Sequence, residues 1–145
     1  MITKKNFFLD PITIKTIDTI RVTYFVVFIL SFALTEIGRK LYRPFIYKNN
    51  IEDFGIADSV GNWGGILAQI FFGLAIINST KKKGLRLITL FIIGYMFYEI
   101  VQPYLPRGVF DWQDIYGTII GGIFGLLLFI LIHKITKQNK VFHRF

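Results

Sequence analysis

The chain has 145 residues, of which 53% are hydrophobic, 17% are aromatic and only 18% are charged. Globular proteins average about 25% charged residues, so this composition leaves too few polar groups to cover a soluble domain. It is also too hydrophobic for a disordered chain. Cysteine is absent, which excludes disulfides, thiolate metal sites and thiol catalysis. The net charge of +8 has to be interpreted by position, because membrane proteins distribute lysine and arginine unequally between their two sides.

Four apolar stretches, each of 18 residues, predict four membrane-spanning helices. They cover residues 20–37, 60–77, 85–102 and 115–132. At about 1.5 Å of rise per residue each stretch reaches about 27 Å, which suits a hydrocarbon core of about 30 Å. We therefore predict an all-α membrane protein with one transmembrane domain over residues 20–132. A cytoplasmic segment, 1–19, precedes this domain, and a basic cytoplasmic tail, 133–145, follows it.

The basic residues are divided unequally between the segments that connect these helices. The N-terminal segment, the second loop and the tail carry 12 basic residues against two acidic ones, whereas the first and third loops carry 5 against seven. Because positively charged loops stay on the cytoplasmic side, this distribution predicts cytoplasmic N- and C-termini, with the first and third loops outside. Much of the net charge is thus a topology signal, and we expect no nucleic-acid partner.

A short motif occurs twice, 56 residues apart, where each outer loop enters a helix. The two copies are Phe54, Asp58, Gly61, Asn62 and Gly65, and then Phe110, Asp114, Gly117, Thr118 and Gly121. The repeat predicts two parallel helical hairpins, about 20–78 and 85–132, related by an axis along the membrane normal. Asp58 and Asp114 are expected to accept hydrogen bonds from the free backbone amides of the first helical turn. The recurring glycines predict close helix packing, and they are Gly61, Gly65, Gly73, Gly117, Gly121 and Gly125.

The segment 99–114 concentrates the polar residues that are expected near the membrane. Glu99 and Gln102 are three residues apart on one helical face, and the prolines at positions 103 and 106 end that helix. A carboxylate close to the hydrocarbon is costly, so Glu99 is a functional candidate. Arg107 lies between Glu99 and two aspartates, Asp111 and Asp114. Either it holds these acids in an ion-pair network or it binds a phosphate or carboxylate of a ligand.

This segment resembles the signature of the VanZ-like family, small bacterial membrane proteins named for a teicoplanin-resistance factor. The matching residues, in order, are Glu99, Gln102, Pro106, Arg107, Asp111, Asp114, Gly121 and Gly125. The family's earlier element resembles Asp58, Gly61 and Asn62. Two departures are that the arginine follows the proline directly and that Thr118 stands where the family has asparagine. The resemblance covers about half of the chain and implies a four-span protein of the bacterial cytoplasmic membrane with a role in glycopeptide (teicoplanin) resistance.

The polar residues predict a pocket at the outer membrane surface. We expect a non-enzymatic protein that binds the head group of a membrane lipid, a lipid-linked cell-wall precursor or a lipoglycopeptide. The predicted pocket residues are Glu99, Gln102, Arg107, Asp111, Asp114, Glu36, Arg39, Asp58 and Asn62. Aromatic residues that suit the membrane interface surround it in the sequence, namely Trp63, Tyr98, Tyr104, Phe110 and Trp112. No catalytic residue and no cofactor is assigned, and metal binding by the carboxylates stays open.

Three other functions remain open at this point. A small transporter would need ionisable groups near the membrane midplane, where the spans offer only Ser31, Gln69 and Thr89. A membrane-embedded hydrolase or transferase would depend on the clustered carboxylates and a divalent metal ion, because the cluster contains no serine or histidine. An oligomer or a scaffold within a larger complex is the third alternative.

Overall fold

The computed structural model describes the backbone of residues 19–77, 80–106 and 108–142, and the side chains of these residues up to 136. These residues form helices and connecting turns, without β-strands. The elements are α1 (Thr19–Ile37), a π-helical turn (Gly38–Tyr42), α2 (Arg43–Lys48), α3 (Ile56–Ile76), α4 (Lys81–Val101), a 3-10 turn (Gln102–Tyr104) and α5 (Trp112–Phe142).

Four helical segments are long and apolar enough to cross a membrane, as the sequence predicts. They are Thr19–Lys48, Ile56–Ile76, Lys81–Tyr104 and Trp112–Thr136. The all-α fold with four candidate membrane-spanning helices is therefore confirmed, and the chain has the features of a multi-pass membrane protein. The two-fold relation of the halves and the cytoplasmic position of the termini stay predictions.

The helices extend beyond the predicted apolar stretches. α3 and α5 begin at Ile56 and Trp112, ahead of the predicted starts at 60 and 115, because their first turns carry aspartates that lower the local hydropathy. α5 also continues past residue 132 to Phe142, since no proline or glycine interrupts it. Within this extension, the Nδ1 atom of His133 lies 2.8 Å from the hydroxyl of Tyr24 in α1. His133 thus packs in the bundle and not in a separate tail.

The first span continues through a segment that the sequence predicts to be an outer loop. After α1 the chain forms a π-helical turn, in which the N–H of Arg43 donates to the carbonyl of Gly38, five residues earlier. Pro44 then lies in the first turn of α2, a position where the missing N–H of proline leaves no intrahelical bond unmade. The widened turn directly before the proline allows the helical path to continue to Lys48.

α3 is the central helix and packs most extensively against α1 and α5. Glycines set both contacts, because a Cβ atom at Gly121 would lie 2.4 Å from the Trp63 carbonyl oxygen and one at Gly64 would lie 1.8 Å from Oγ1 of Thr35. The predicted packing role of Gly121 is confirmed. Gly61 differs, since no atom lies within 4 Å of the position its Cβ would take. The sequence pattern therefore assigned Gly61 to a helix contact that Gly64 makes instead.

The buried core lies toward the end of the bundle at which α1 and α4 begin. Tyr24, Phe71 and Phe129 are almost fully buried there and pack through their rings, with 5.9 Å between the Tyr24 and Phe71 ring centroids. Arg21 closes this end, because its Nε donates to the carbonyl of Ala75 in the last turn of α3, at 2.8 Å. Since lipid is as apolar as these side chains, close packing and hydrogen bonds hold the helices together.

Candidate functional site

A buried carboxylate lies at the polar end of the bundle, where α4 ends and where α3 and α5 begin. Glu99, in the last turn of α4, is only 3% exposed. Nδ2 of Asn62 in α3 donates to its Oε1 at 2.9 Å. The side-chain amide of Gln102 is oriented with its nitrogen toward the neighbouring acceptors. In this orientation it donates to Oε2 of Glu99 at 2.6 Å and to the carbonyl of Val109 at 3.2 Å. Amides from two sides therefore hold both oxygens of this carboxylate.

Three further acidic residues lie at this end of the bundle and form, with Glu99, what we term the carboxylate cluster: Asp58, Glu99, Asp111 and Asp114. Glu99 lies within electrostatic range of Asp114 and Asp111. Asp114, in the first turn of α5, is in turn within range of Asp58, in the first turn of α3. The structure thus brings together predicted site residues from α3, α4 and α5.

Arg43 supplies a positive charge to this cluster, although sequence reasoning did not include it in the site. Its Nη2 atom lies 3.1 Å from Oδ1 of Asp58, and it is also within electrostatic range of Asp114. The hydroxyl of Tyr47 donates to the same Asp58 oxygen and accepts from Nε of Arg43 at 3.2 Å. The four-residue spacing of Arg43 and Tyr47 was a usable signal, but it has meaning only in a helix, and this segment was predicted to be a loop.

The carboxylates that cap the two helices are not the ones predicted. The backbone amides at the start of α3 bond to Asp53, which accepts from the N–H of Ala57 at 2.7 Å and from that of Gly55 at 3.1 Å. At the start of α5 the corresponding acceptor is Asp111, which binds the N–H of Gln113 at 2.9 Å. Asp58 accepts from side chains instead. A cap carboxylate precedes the first turn, whereas Asp58 and Asp114 lie within it.

The remaining predicted pocket residues are placed differently. On the first span, Glu36 pairs with Arg39 at 3.3 Å and with Lys40 at 3.0 Å, so these predicted members bond along their own helix. Arg107 lies outside the described residues, and its predicted role stays a prediction. Of the nine predicted residues, the contacts above bring together Asn62, Asp58, Glu99, Gln102, Asp111 and Asp114.

Thr118 occupies the position in the second motif that corresponds to Asn62 in the first. It is completely buried, and its hydroxyl has no hydrogen-bond partner among the described residues. One turn further along α5, a Cβ at Gly122 would lie 2.7 Å from Ile92 of α4, which indicates that Thr118 is on the face of α5 directed toward α4. An unsatisfied buried hydroxyl costs about 1–3 kcal/mol. It lies one turn from Asp114 and therefore next to the carboxylate cluster.

Exposed aromatic side chains border the polar end, as the sequence predicts for a membrane interface. Tyr104 and Trp112 are largely exposed, and the Trp112 ring packs edge to face on Phe110 with 5.1 Å between centroids. The ring of the half-buried Trp63 packs on Phe124 of α5, with 6.2 Å between centroids. Tyr104, Phe110 and Trp112 therefore form an aromatic group at the polar end, and the interfacial role of Trp63 stays a prediction.

The part of the chain that the structure describes has no group of three or more histidine or carboxylate side chains arranged to hold a metal ion. Comparison of the chain with protein-family models, with curated proteins and with solved structures found no match. The chemistry of the site therefore follows from its geometry: a buried, amide-bound carboxylate, three further carboxylates, one arginine and a rim of exposed aromatic residues.

Proposed function

We propose that this chain is a VanZ-like membrane protein of the bacterial cell envelope that binds the head group of a lipid, a lipid-linked wall precursor or a lipoglycopeptide at its polar end, without catalysing a reaction. Glu99 carries the proposal. A carboxylate within a membrane span is costly and is retained where it has a functional partner. Here two amides hold it in place, and two more carboxylates, Asp111 and Asp114, lie within electrostatic range of it.

The charge balance of the cluster favours a head group that donates hydrogen bonds. Among the described residues, Arg43 is the basic side chain that contacts the cluster, through Asp58 and Asp114, so the acceptor oxygens of the four carboxylates exceed the donors that reach them. Sugar hydroxyls and ammonium groups satisfy such acceptors. The exposed rings of Tyr104 and Trp112 add an apolar rim. Binding of such head groups at the outer surface is the proposed route to glycopeptide (teicoplanin) resistance.

The proposal is tested by binding of defined amphiphiles to the purified protein in phosphatidylglycerol nanodiscs. The probes are phosphatidylethanolamine, a lipid-linked wall precursor and teicoplanin, with native mass spectrometry as the measurement. Glu99→Gln removes the charge but keeps the side-chain shape. Since hydrogen bonds to charged groups contribute about 1.5–3 kcal/mol, we expect at least one probe to bind about tenfold or more weakly to this variant.

Glu52 provides the matched control, because it is an exposed glutamate in the loop before α3. Glu52→Gln removes the same charge near the same end, and we expect it to leave binding of every probe unchanged. Equal binding of all three probes by wild type and Glu99→Gln, in folded protein, would show that the head group is recognised elsewhere or not at all.

A further inference from the structure

A groove of about 380 Å³ runs between α3 and α4 in the membrane-spanning part of the bundle. The residues that line it are Gln69, Leu90, Phe91, Gly94, Tyr95 and Tyr98. Its volume falls within the about 300–1,000 Å³ that is typical of ligand pockets. Both walls belong to segments that are apolar enough to span a membrane, so the groove opens toward lipid.

The groove is closed at one end, and its other end lies near the carboxylate cluster. At the closed end the helices are in direct contact, because a Cβ at Gly73 would lie 2.8 Å from the ring of Phe91. Toward the polar end long side chains bridge the helices, and the Tyr95 hydroxyl donates to Oε1 of Gln69 at 2.9 Å. Glu99 lies one turn beyond Tyr95 on the same face of α4. The polar end of the groove therefore lies about one helical turn from Glu99.

Gly94 lines this groove, and close helix packing does not require a glycine at this position. No atom lies within 4 Å of the position its Cβ would take, whereas a Cβ at Gly84 in the same helix would lie 2.5 Å from Phe129. Glycine inside a helix is less favourable than alanine. At Gly84 close helix packing accounts for that cost, whereas at Gly94 the observed consequence of the missing side chain is a wider groove.

We propose that the groove holds an acyl chain of the amphiphile whose head group binds at the polar end, an inference that rests on the function proposed above. The apolar walls at Leu90 and Phe91 suit the chain itself. Gln69 accepts from Tyr95 through its oxygen and has two further N–H donors, which suit the ester carbonyls that join acyl chains to a head group. The ester carbonyls would thus accept hydrogen bonds from Gln69, a polar side chain that is exposed within a membrane span.

The test uses phosphatidylglycerol with a diazirine in one acyl chain, incorporated into phosphatidylglycerol–phosphatidylethanolamine vesicles that contain the full-length protein. Leu90 in the groove and Leu30 on α1 form a matched pair, because they are 60% and 57% exposed and lie about halfway along their spans. Bulk lipid labels both equally. A chain held in the groove labels Leu90 several-fold more, and adducts are assigned by tandem mass spectrometry.

Gly94→Leu fills the groove, and we expect it to lower Leu90 labelling to the level of Leu30. Ala33→Leu adds the same side chain at an exposed position of α1 and should leave the excess unchanged. Equal labelling of Leu90 and Leu30 in the wild type, or an excess that survives Gly94→Leu, overturns the inference. So does rapid disulfide dimerisation of a Gly94→Cys variant, which would show that a second copy covers the groove; the chain has no other cysteine.

The acyl-chain proposal and the head-group proposal can be contradicted independently. Labelling of Leu90 that depends on Gly94, together with probe binding that ignores Glu99→Gln, would support the groove and overturn the head-group proposal. Probe binding that depends on Glu99, with equal labelling of Leu90 and Leu30, would overturn the groove alone.

Discussion

The hydrogen bond between Asn62 and Glu99 is predicted to couple α3 and α4 energetically. Asn62→Leu keeps the approximate size of the side chain but removes the donor that lies 2.9 Å from Oε1 of Glu99. Since Glu99 is only 3% exposed, water cannot replace that donor. Loss of a hydrogen bond to a charged group costs about 1.5–3 kcal/mol, so we expect the free energy of unfolding to fall by about 2–3 kcal/mol.

The second half of this prediction concerns the double variant. Replacing both partners by apolar side chains leaves no buried carboxylate without its donor, so Asn62→Leu with Glu99→Met should lie within about 1 kcal/mol of the wild type. The double-mutant cycle then gives a coupling energy of about 1.5 kcal/mol or more, which is typical of residues in direct contact. Ser59→Ala, also on α3, removes a hydroxyl that donates to the carbonyl of Ile56 one turn earlier and should cost less than about 0.5 kcal/mol.

The assay is reversible unfolding in mixed micelles by titration with sodium dodecyl sulfate, followed by the fluorescence of Trp63 and Trp112. Each single variant, the double variant and the Ser59→Ala control are measured under identical conditions. Additive effects of the two single variants would refute the reasoning, because independent contributions cannot come from one shared hydrogen bond. The same result would show that Glu99 is not energetically coupled to Asn62.

Three further predictions concern packing, topology and the arginine of the third loop. Gly121→Ala places a methyl group 2.4 Å from a backbone oxygen of α3 and should destabilise the protein by about 1–3 kcal/mol in the same assay, whereas Gly61→Ala meets no atom within 4 Å and should not. Reporter fusions after Lys83 should indicate the cytoplasm and those at Asn50 the outside, and the opposite pattern would place the polar end on the cytoplasmic side. Arg107→Lys should fold normally but lose ligand binding if the guanidinium contacts an anionic group, because an ammonium cannot form the bidentate contact. Full binding by that variant would indicate that the arginine is structural.

Contacts between neighbours on one helix were the part of the site that the sequence could predict. Glu99 and Gln102 are three residues apart, and the structure joins them because this spacing alone brings side chains together on a helix. The sequence placed Asn62 in the predicted pocket but did not predict its hydrogen bond to Glu99, because that bond depends on how α3 and α4 dock. Arg43 was missed for a related reason: its contact with Asp58 requires a helical segment where hydropathy and an adjacent proline indicate a loop.

The sequence by itself determined the number of spans and their approximate positions. Hydropathy is a sum over neighbouring residues, and a stretch of 18 apolar residues in this chain has few alternatives to a membrane helix. Only the tertiary structure decided which faces meet. Lipid and protein are equally apolar around a membrane helix, so hydrophobicity does not mark the buried face. The faces that meet are set by close approaches such as that of Gly121 in α5 to α3, by the Asn62–Glu99 hydrogen bond, and by the space that Gly94 leaves between α3 and α4.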